Sequence, residues 1–190
     1  MASVVVISSS PSRISRTAAL ARHVSDELVR EGHAVAEISL RDLPPRALLT
    51  ADTADPDVAA AVRAVIAADA LVIATPIYKA SYSGLLKVFL DLLPQSALDR
   101  KVVLPLATGG TIAHLLAIDY SLRPVLVSLG AQHITAGRFV LDTHIDHTSG
   151  GPVLLDDTAR GCVARTTAAF RDALRAAADL EPATDALARA

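Results

Sequence analysis

Residues 70–94 read ALVIATPIYKASYSGLLKVFLDLLP and place a strand, a polar loop and a helix in one run. Residues 70–75 are continuously apolar, which is typical of a strand that is covered on both faces of a sheet. Pro76 is predicted to end this strand, and a helix is predicted over residues 83–93, before Pro94. A strand that leads into a helix in this way is the unit from which parallel sheets are built.

The same alternation of strand and helix continues on both sides of this run. The predicted strands are residues 3–8, 33–38, 70–75 and 101–108, with a fifth inside 133–141. The predicted helices are residues 17–31, 58–67, 83–93, 112–129 and 157–178. Crossovers of this kind predict one α/β domain over residues 1–178, with a parallel sheet between two layers of helices. Residues 179–190 are predicted to be a frayed tail.

The composition narrows the classes of function. The 190 residues carry a formal net charge of −2 and no block of basic residues, which argues against nucleic acid or an anionic membrane as a partner. Hydrophobic residues make up 52% of the chain but aromatic residues only 3%, so we expect an aliphatic core. The single cysteine, Cys162, cannot form an internal disulfide and is predicted to be buried in the last helix. With no visible signal peptide and no apolar run that would span a bilayer, a cytoplasmic protein is expected.

Three loops are the places to look for a ligand. In open parallel sheets, ligands bind beyond the carboxyl ends of the strands, where the strand order reverses. The loops that follow the first, third and fourth predicted strands are residues 8–17, 75–84 and 107–114. They are rich in hydroxyl groups, glycine and basic side chains, so we expect them to form one site.

The first loop, SSSPSRISRT (8–17), is suited to an anion. Free backbone N–H groups at the start of the following helix favour negative charge, and serine hydroxyls donate hydrogen bonds to phosphate oxygens. Arg16 offers a bidentate contact to a phosphate. The loop lacks the glycine patterns of dinucleotide and nucleoside-triphosphate sites, which favours a terminal phosphomonoester. The alternative is that Ser15 or Thr17 only caps the helix.

The second loop is suited to a flat ring. Tyr78 supplies a planar side chain, and residues 81–84 are predicted to form a tight turn into the next helix. Lys79 can balance negative charge on a ring or a phosphate, whereas Lys87 is expected to cap the helix or extend along its surface. The alternative is an ordinary strand-to-helix connection whose lysines are solvated.

The third loop, ATGGTIAH (107–114), places Gly109 and Gly110 between a strand and a helix. Glycine allows a ligand to approach the backbone closely, or simply permits a sharp turn. His114 begins the next helix, where it is expected either to touch a bound ring or to bond a backbone group. Together the three loops offer phosphate donors, a ring platform and a glycine edge.

At these residues the sequence resembles the NADPH-dependent FMN reductases, which are flavodoxin-like proteins. The resemblance is nearest to the reductase component of two-component alkanesulfonate monooxygenase systems. It is carried by SSSPSRISRT (8–17), TPIYKASYSGLLKVFLDLLP (75–94) and KVVLPLATGGTIAHLLAIDYSLRPVL (101–126). It covers about residues 1–175, departs at Ser9, where relatives often carry glycine, and is poor over 139–156.

The resemblance implies a flavodoxin-like three-layer sandwich with a five-stranded parallel sheet. It implies hydride transfer from NADPH or NADH to FMN, and delivery of the reduced flavin to a partner monooxygenase. Because the flavin itself accepts the hydride, no catalytic acid or base is expected in the protein. By the resemblance, flavin binding is expected of Ser10, Ser15, Arg16, Thr17, Pro76, Ile77, Tyr78, Lys79, Ser81, Thr108, Gly109, Gly110 and Thr111.

A separate prediction concerns HLLAIDYSLRPVL (114–126). Pro124 has no N–H to donate to the carbonyl of Tyr120, and its ring crowds that carbonyl. A helix relieves such a conflict by a kink or by one turn of π-helix. Similar proteins carry a tyrosine-centred π-helix at a subunit contact, so Tyr120 is predicted to mark an irregular turn at the interface of a homotetramer, a dimer of dimers. The alternative is an ordinary proline kink with Tyr120 at the surface.

Other interpretations are weaker. The stretch DTHIDH (142–147) does not have the spacing of a well-known metal site, and no metal is expected. Within the same enzyme class, the alternative is an NAD(P)H-dependent quinone, azo-dye or metal-ion reductase that keeps its FMN. Outside that class, the alternative is a flavodoxin-type electron carrier, which the nearly neutral charge and the adjacent Tyr78 and Lys79 disfavour. The sequence leaves the choice between NADPH and NADH open.

Overall fold

The computed structural model describes residues 1–146 and 154–187. The strands are β1 (Ser3–Ser8), β2 (Ala34–Ser39), β3 (Ala70–Tyr78), β4 (Ser81–Tyr82), β5 (Val102–Gly109), β6 (His133–Ile134), β7 (Arg138–Leu141), β8 (Ile145–Asp146) and β9 (Leu154–Leu155). The α-helices are α1 (Arg16–Arg30), α2 (Pro45–Leu49), α3 (Pro56–Ala67), α4 (Gly84–Leu90), α5 (Arg123–Ser128) and α6 (Asp157–Leu187). Between them lie 3₁₀ turns at Leu40–Asp42, Ile112–His114 and Asp142–His144, and a π-helical segment at Ile118–Leu122.

The main sheet is parallel, with its strands in the order β2–β1–β3–β5–β6. β6 and β7 both pair with β5, so they are two segments of the predicted fifth strand. β4 is an addition to this frame, since it pairs antiparallel with the end of β3. The predicted α/β fold with five parallel strands is confirmed. The strand order reverses between β1 and β3, which is where a crevice for a ligand opens in such sheets.

Helices cover both faces of the sheet. On one face, α1 and α6 pack against a layer that includes Val6 and Val72. On the other face, α3, α4 and α5 pack against the alternate residues of the same strands, among them Ile7 and Ile73. Each fully buried aliphatic side chain of this kind contributes roughly 1.5–3 kcal/mol to folding. The central strands are apolar throughout because both of their faces are covered.

Strand β3 runs through Pro76, which the sequence interpretation placed at its end. That prediction was wrong, because Pro76 pairs with Thr108 in the ladder and the strand continues to Tyr78. The carbonyl of Ala74 accepts the N–H of Ser9, and the backbone groups of residue 76 face the same side, beyond the end of β1. The missing N–H of Pro76 therefore has no neighbouring strand to bond, and the ladder loses nothing.

The fifth strand is interrupted by a bulge. The pairing register with β5 shifts by one residue between β6 and β7. A Cβ on Gly137 would lie 3.0 Å from both the ring and the carbonyl oxygen of Pro105, so the backbone approaches here more closely than a side chain allows. Pro105 has no N–H for the ladder, and the bulge lies opposite it.

The predicted helix over 112–129 is divided into three parts, namely a 3₁₀ turn, the π-helical segment and α5. The N–H of Arg123 donates to the carbonyl of Ile118, five residues back, which is the bond that defines a π-helix. Pro124 lies in the first turn of α5, where a missing N–H is not needed. The predicted irregular turn around Tyr120 is therefore confirmed, and this side chain is 79% exposed.

The last helix begins as predicted but extends further. α6 continues to Leu187, residues 188–190 lie outside the described part of the chain, and the frayed tail stays a prediction. The prediction that Cys162 is buried was wrong. It is half-buried, on a side of α6 where the Arg165 guanidinium donates to its Sγ at 3.2 Å. No helix within the described ranges is long and apolar enough to cross a membrane.

Candidate functional site

The three predicted loops lie side by side at the carboxyl edge of the sheet, because β1, β3 and β5 are neighbours. Two contacts between hydroxyl-bearing residues join them. The hydroxyl oxygens of Thr17 and Thr108 are 2.6 Å apart and link the first loop to the third. The Ser83 hydroxyl donates to the carbonyl oxygen of Ser9 at 2.9 Å and links the second loop to the first.

The first loop forms the N-terminal cap of α1. The Ser15 hydroxyl accepts the N–H of Ala18 at 3.1 Å, so Ser15 does cap the helix. Ser10 and Ser15 also line an open groove of about 830 Å³ beside α1. Residues 16–19, the first turn, carry no acidic side chain, so the positive end of the helix dipole is left to attract an anion.

Arg16 and Thr17 hold this loop in place. Arg16 is exposed, and its Nε donates to the carbonyl oxygen of Ile145 in β8 at 3.3 Å. Thr17 and Thr108 are each 2% exposed, so the hydrogen bond between their hydroxyls is buried. The structure therefore leaves Arg16 at the surface of the loop and places the two threonines behind it.

Arg41 joins the same groove without having been predicted. Its guanidinium donates to the carbonyl oxygen of Ser12 at 3.3 Å and lies 3.4 Å from the carboxylate of Asp42. Arg13 also lines the groove, as do Asp26, Glu37 and Asp42, so the groove carries charges of both signs. Arg41 follows β2, and its place beside the first loop depends on the pairing of β2 with β1. The signal available in the sequence was its position just after a predicted strand.

The second loop is a β-hairpin. Lys79 and Ala80 connect β3 to β4 and have φ of 51° and 64°. Left-handed geometry at both central residues is that of a type I′ turn, which normally uses Asn or Gly. The tight turn was predicted at 81–84, and that prediction was wrong, because Ser83 instead starts α4 by accepting the N–H of Leu86 at 3.2 Å. Such geometry is strained for residues other than glycine, and strain of this kind clusters at functional sites.

The hairpin presents the predicted ring-binding side chains near its tip. Tyr78 is 50% exposed and Lys79 follows it at the surface. The hydroxyls of Ser81 and Ser121 lie 2.5 Å apart, which ties the returning strand to the π-helical segment. The hairpin is therefore supported from one side while its tip is open.

Other side chains of this stretch are buried or are paired with groups of the protein. Pro76 and Ile77 are buried in β3. Lys87 forms an ion pair with Asp91 at 2.5 Å, and this hydrogen bond raises the pKa of Lys87. Burial raises the pKa of the Tyr82 phenol, so this group stays neutral over the physiological range.

The two glycines of the third loop differ. A Cβ on Gly109 would lie 3.0 Å from Cζ and 3.3 Å from Cε2 of Phe139, so this glycine makes room for an aromatic ring of β7. A Cβ on Gly110 would meet only Oδ2 of Asp142, at 3.9 Å, and Gly110 is exposed. Gly110 is therefore the residue whose backbone is open to a ligand.

The segment that follows exposes several apolar side chains. Thr111 caps the 3₁₀ turn by accepting the N–H of Ala113 at 3.3 Å, and His114 is half-buried in that turn. The exposed apolar patch consists of Ile112 (62% exposed), Leu115 (47%), Leu116 (53%) and Tyr120 (79%). Adjacent exposed apolar side chains are typical of a contact surface.

Part of the stretch 139–156, to which the resemblance assigns no residue, contacts the first loop, because the carbonyl oxygen of Ile145 accepts the bond from Arg16. The side chains of His144 and Asp156 are hydrogen bonded to each other. Asp156 also accepts the N–H of Ala159 at 2.8 Å, and the Ala159 and His144 bonds hold the pKa of Asp156 below its ordinary value. In the described residues no three His, Cys, Asp or Glu side chains are grouped as a metal site, and His147 lies outside those residues.

The chain was compared with known proteins. Residues 2–146 match the family described as NADPH-dependent FMN reductase. The chain is 46% identical over 147 residues to an FMN reductase (NADPH) from Pseudomonas putida, across 77% of this chain and 75% of that one. It is 45% identical over 142 residues to an FMN reductase (NADPH) from Escherichia coli, across 75% and 74% of the two chains. The crystal structure of an NADH:FMN oxidoreductase in its apo form is 43% identical, with a TM-score of 0.83 over 91% of this chain and 90% of that one.

Proposed function

The chain belongs to the family of NADPH-dependent FMN reductases, and we propose that it transfers a hydride from NAD(P)H to FMN and supplies the reduced flavin to a partner monooxygenase. Its relatives are named for NADPH and for NADH, so both nucleotides are candidate donors. One observation supports the proposal most. A helix start rich in serine and arginine, a tyrosine hairpin and an open glycine loop lie together at one edge of the sheet. FMN carries a phosphate, a flat ring and a polar ring edge, and a site that combines these three kinds of group suits it.

The first loop fits the phosphate of FMN. It combines the uncompensated start of α1 with the hydroxyls of Ser10 and Ser15 and the guanidinium of Arg16. A phosphomonoester is an anion that accepts several hydrogen bonds, which is what this set of donors offers. The bond from Arg16 to Ile145 restrains the guanidinium before the ligand arrives, so less conformational freedom is lost on binding. Thr17 is buried, and it supports the loop through the contact of its hydroxyl with that of Thr108.

The second and third loops fit the isoalloxazine ring. Tyr78 offers a planar, half-exposed side chain, Lys79 offers positive charge, and Gly110 offers open backbone groups. We assign these three to the ring. The remaining members of the proposed set shape the two loops around it, and they are Pro76, Ile77, Ser81, Thr108, Gly109 and Thr111.

FMN, when bound, supplies the redox chemistry. The residues of the chain bind its phosphate, orient its ring and limit the access of water. Lys79 places positive charge at the ring end of the site, where it stabilises negative charge. We assign no catalytic acid or base to the protein, because none is needed for these tasks.

The test is oxidation of NADPH and of NADH by the purified protein, with and without added FMN. We expect oxidation that depends on FMN and saturates with it. A protein that purifies with bound flavin and ignores added FMN would overturn the assignment of FMN as a released substrate, in favour of a reductase that keeps it. Failure to oxidise either nucleotide in the presence of FMN would overturn the reductase function and favour an electron carrier.

We also propose that the protein is a homotetramer, a dimer of dimers with Tyr120 at an interface. The exposed apolar patch around the π-helical segment supports this, since burying it removes apolar surface from water. Light scattering should give the mass of four chains for the wild type and a smaller mass for Tyr120→Arg. Leu49→Arg, which changes a 77% exposed residue on α2, is the control and should leave the mass unchanged. A monomeric wild type would contradict the proposal.

The partner monooxygenase and a cytoplasmic location belong to the same proposal. NAD(P)H is an intracellular reductant, and Cys162 is a free thiol, which a reducing compartment preserves. The partner would be identified by formation of an oxygenated product that requires the nucleotide, FMN and this chain together. Equal product from chemically reduced FMN without the chain would show that the oxygenase needs only the flavin.

A further inference from the structure

A buried cluster of hydroxyl groups lies between the first two loops. Ser9 and Thr75 are 0% exposed and Ser83 is 2% exposed. Burying a hydroxyl is unfavourable unless it is hydrogen bonded, so three such groups in contact call for a physical reason. We call Ser9, Thr75 and Ser83 the hydroxyl cluster.

Ser9 is bonded to both neighbouring elements. Its N–H and its hydroxyl both donate to the carbonyl oxygen of Ala74, at 3.0 Å and 3.1 Å. The hydroxyl of Ser83 donates to the carbonyl oxygen of Ser9 at 2.9 Å and lies 3.1 Å from the Ser9 hydroxyl. Ser9 therefore joins the end of β3 and the start of α4 to the beginning of the first loop.

Ser83 carries the connection to the hairpin and to α4. Its N–H donates to the hydroxyl of Thr75 at 3.0 Å, and its own hydroxyl accepts the N–H of Leu86 at 3.2 Å. The hairpin with Tyr78 and Lys79 lies between Thr75 and Ser83, so both of its ends are held by the cluster. The phosphate end and the ring end of the proposed site are thus connected through Ser9.

The Ser9 hydroxyl is not required to continue the sheet, because the N–H of the same residue already bonds Ala74. It cannot touch a ligand in this structure either, since the residue has no exposed surface. Its remaining effect is to restrict how far the first loop can move relative to the hairpin. Resting on the proposed function, we propose that Ser9 is a positioning residue that sets the spacing between the phosphate site and the ring site for FMN.

This role predicts different effects on two flavins. FMN contacts both the phosphate site and the ring site, so its affinity depends on the spacing between them. The affinity of a bivalent ligand depends on effective concentration in the same way. Riboflavin lacks the phosphate and contacts only the ring site, so its affinity is insensitive to that spacing. A merely structural role for Ser9 would weaken both flavins alike.

The experiment compares Ser9→Ala with the wild type by titrating flavin fluorescence. We expect the Kd for FMN to rise about fivefold, the factor that corresponds to one neutral hydrogen bond, while the Kd for riboflavin changes by less than about twofold. Ser25→Ala, which removes the hydroxyl of a 3% exposed serine in α1, is the matched control and should change neither.

A second variant, Ser9→Gly, removes the hydroxyl and Cβ and should repeat the pattern. Ser83→Ala should weaken FMN as well, and its effect should not add to that of Ser9→Ala because the two variants lose a shared contact. Equal weakening of both flavins, or no change in either, would overturn the positioning role while the reductase function stands. A wild type that binds no FMN would instead overturn the proposed function.

Discussion

The amino edge and the carboxyl edge of the sheet use charged side chains differently. At the amino edge, Nζ of Lys101 donates to the carbonyl oxygens of Ile66 at 2.8 Å and Ala68 at 2.5 Å. The Asp69 carboxylate accepts the N–H and the hydroxyl of Ser3 at 2.7 Å and 2.8 Å. Both charged side chains therefore form hydrogen bonds with backbone or side-chain groups of the protein.

At the carboxyl edge, comparable charges are left available. Among the described side chains, those of residues 1–146 and 155–179, Arg13 and Lys79 have no hydrogen-bonding or ionic partner. Lys79 also lies in the strained turn of the hairpin. The difference teaches that the amino edge uses its charges to close the fold, whereas the carboxyl edge keeps unpaired positive charge that an anionic ligand can use. Four measurements follow, of which two test this division and two test individual contacts within the fold.

The largest effect is expected from Arg16→Ala at the carboxyl edge. The Kd for FMN should rise about ten- to hundredfold, because hydrogen bonds to charged groups contribute about 1.5–3 kcal/mol. Fluorescence titration measures the Kd, and riboflavin should be affected much less. Arg63→Ala, at an exposed position of α3, is the control. An unchanged Kd for FMN would contradict the distinction between the two edges, since Arg16 would then contribute only to the stability of the fold.

The next prediction compares two glycines of the carboxyl edge, the packed Gly109 and the open Gly110. Gly109→Ala should lower the free energy of unfolding by about 1–3 kcal/mol, because the added methyl group overpacks against Phe139. Gly110→Ala should cost less than about 0.5 kcal/mol, since it adds a methyl group in the open. Urea denaturation measures both, and Phe139→Leu should partly restore stability to Gly109→Ala. Equal losses at the two glycines would contradict the distinction.

A smaller effect is expected at the amino edge. Lys101→Met keeps the apolar stem but removes the donor to the two carbonyl oxygens, and should lower the free energy of unfolding by about 1 kcal/mol. Burial already lowers the pKa of Lys101, so the site is partly desolvated. Lys87→Met, in a solvent-exposed ion pair, should cost less. The Kd for FMN should stay at the wild-type value in Lys101→Met, and a rise like that of Arg16→Ala would abolish the distinction.

The smallest effect depends on pH. The bonds from Ala159 and His144 lower the pKa of Asp156 in the folded state, so they stabilise the fold above the unfolded carboxyl pKa. This stabilisation is lost as the pH falls through the lowered folded pKa. Asp156→Asn should therefore melt at a lower temperature than the wild type near neutral pH, with the deficit disappearing in acid. Asp172→Asn, in an exposed pair on the same helix, is the control, and a deficit that persists in acid would contradict the assignment.

Much of the candidate site was predictable because its signals are local. The hydroxyl and arginine residues of 8–17 stand directly before a helix, and the glycines of 107–114 directly after a strand. The hairpin was not predictable, because Lys79 and Ala80 lack the Asn or Gly that normally marks a type I′ turn. Its returning strand has only two residues and is supported by Ser121, 40 positions away from Ser81.

The sequence by itself determined the order of strands and helices, the parallel sheet, the three loops and the irregular turn around Tyr120. Hydrophobic periodicity and proline geometry act over a few residues, so these features can be read locally. Only the tertiary structure decided that Thr17 meets Thr108 across 91 positions, that Ser83 meets Ser9 across 74, and that Gly109 accommodates Phe139. Such contacts depend on strand order and register, which bring distant residues together only when the whole sheet has formed.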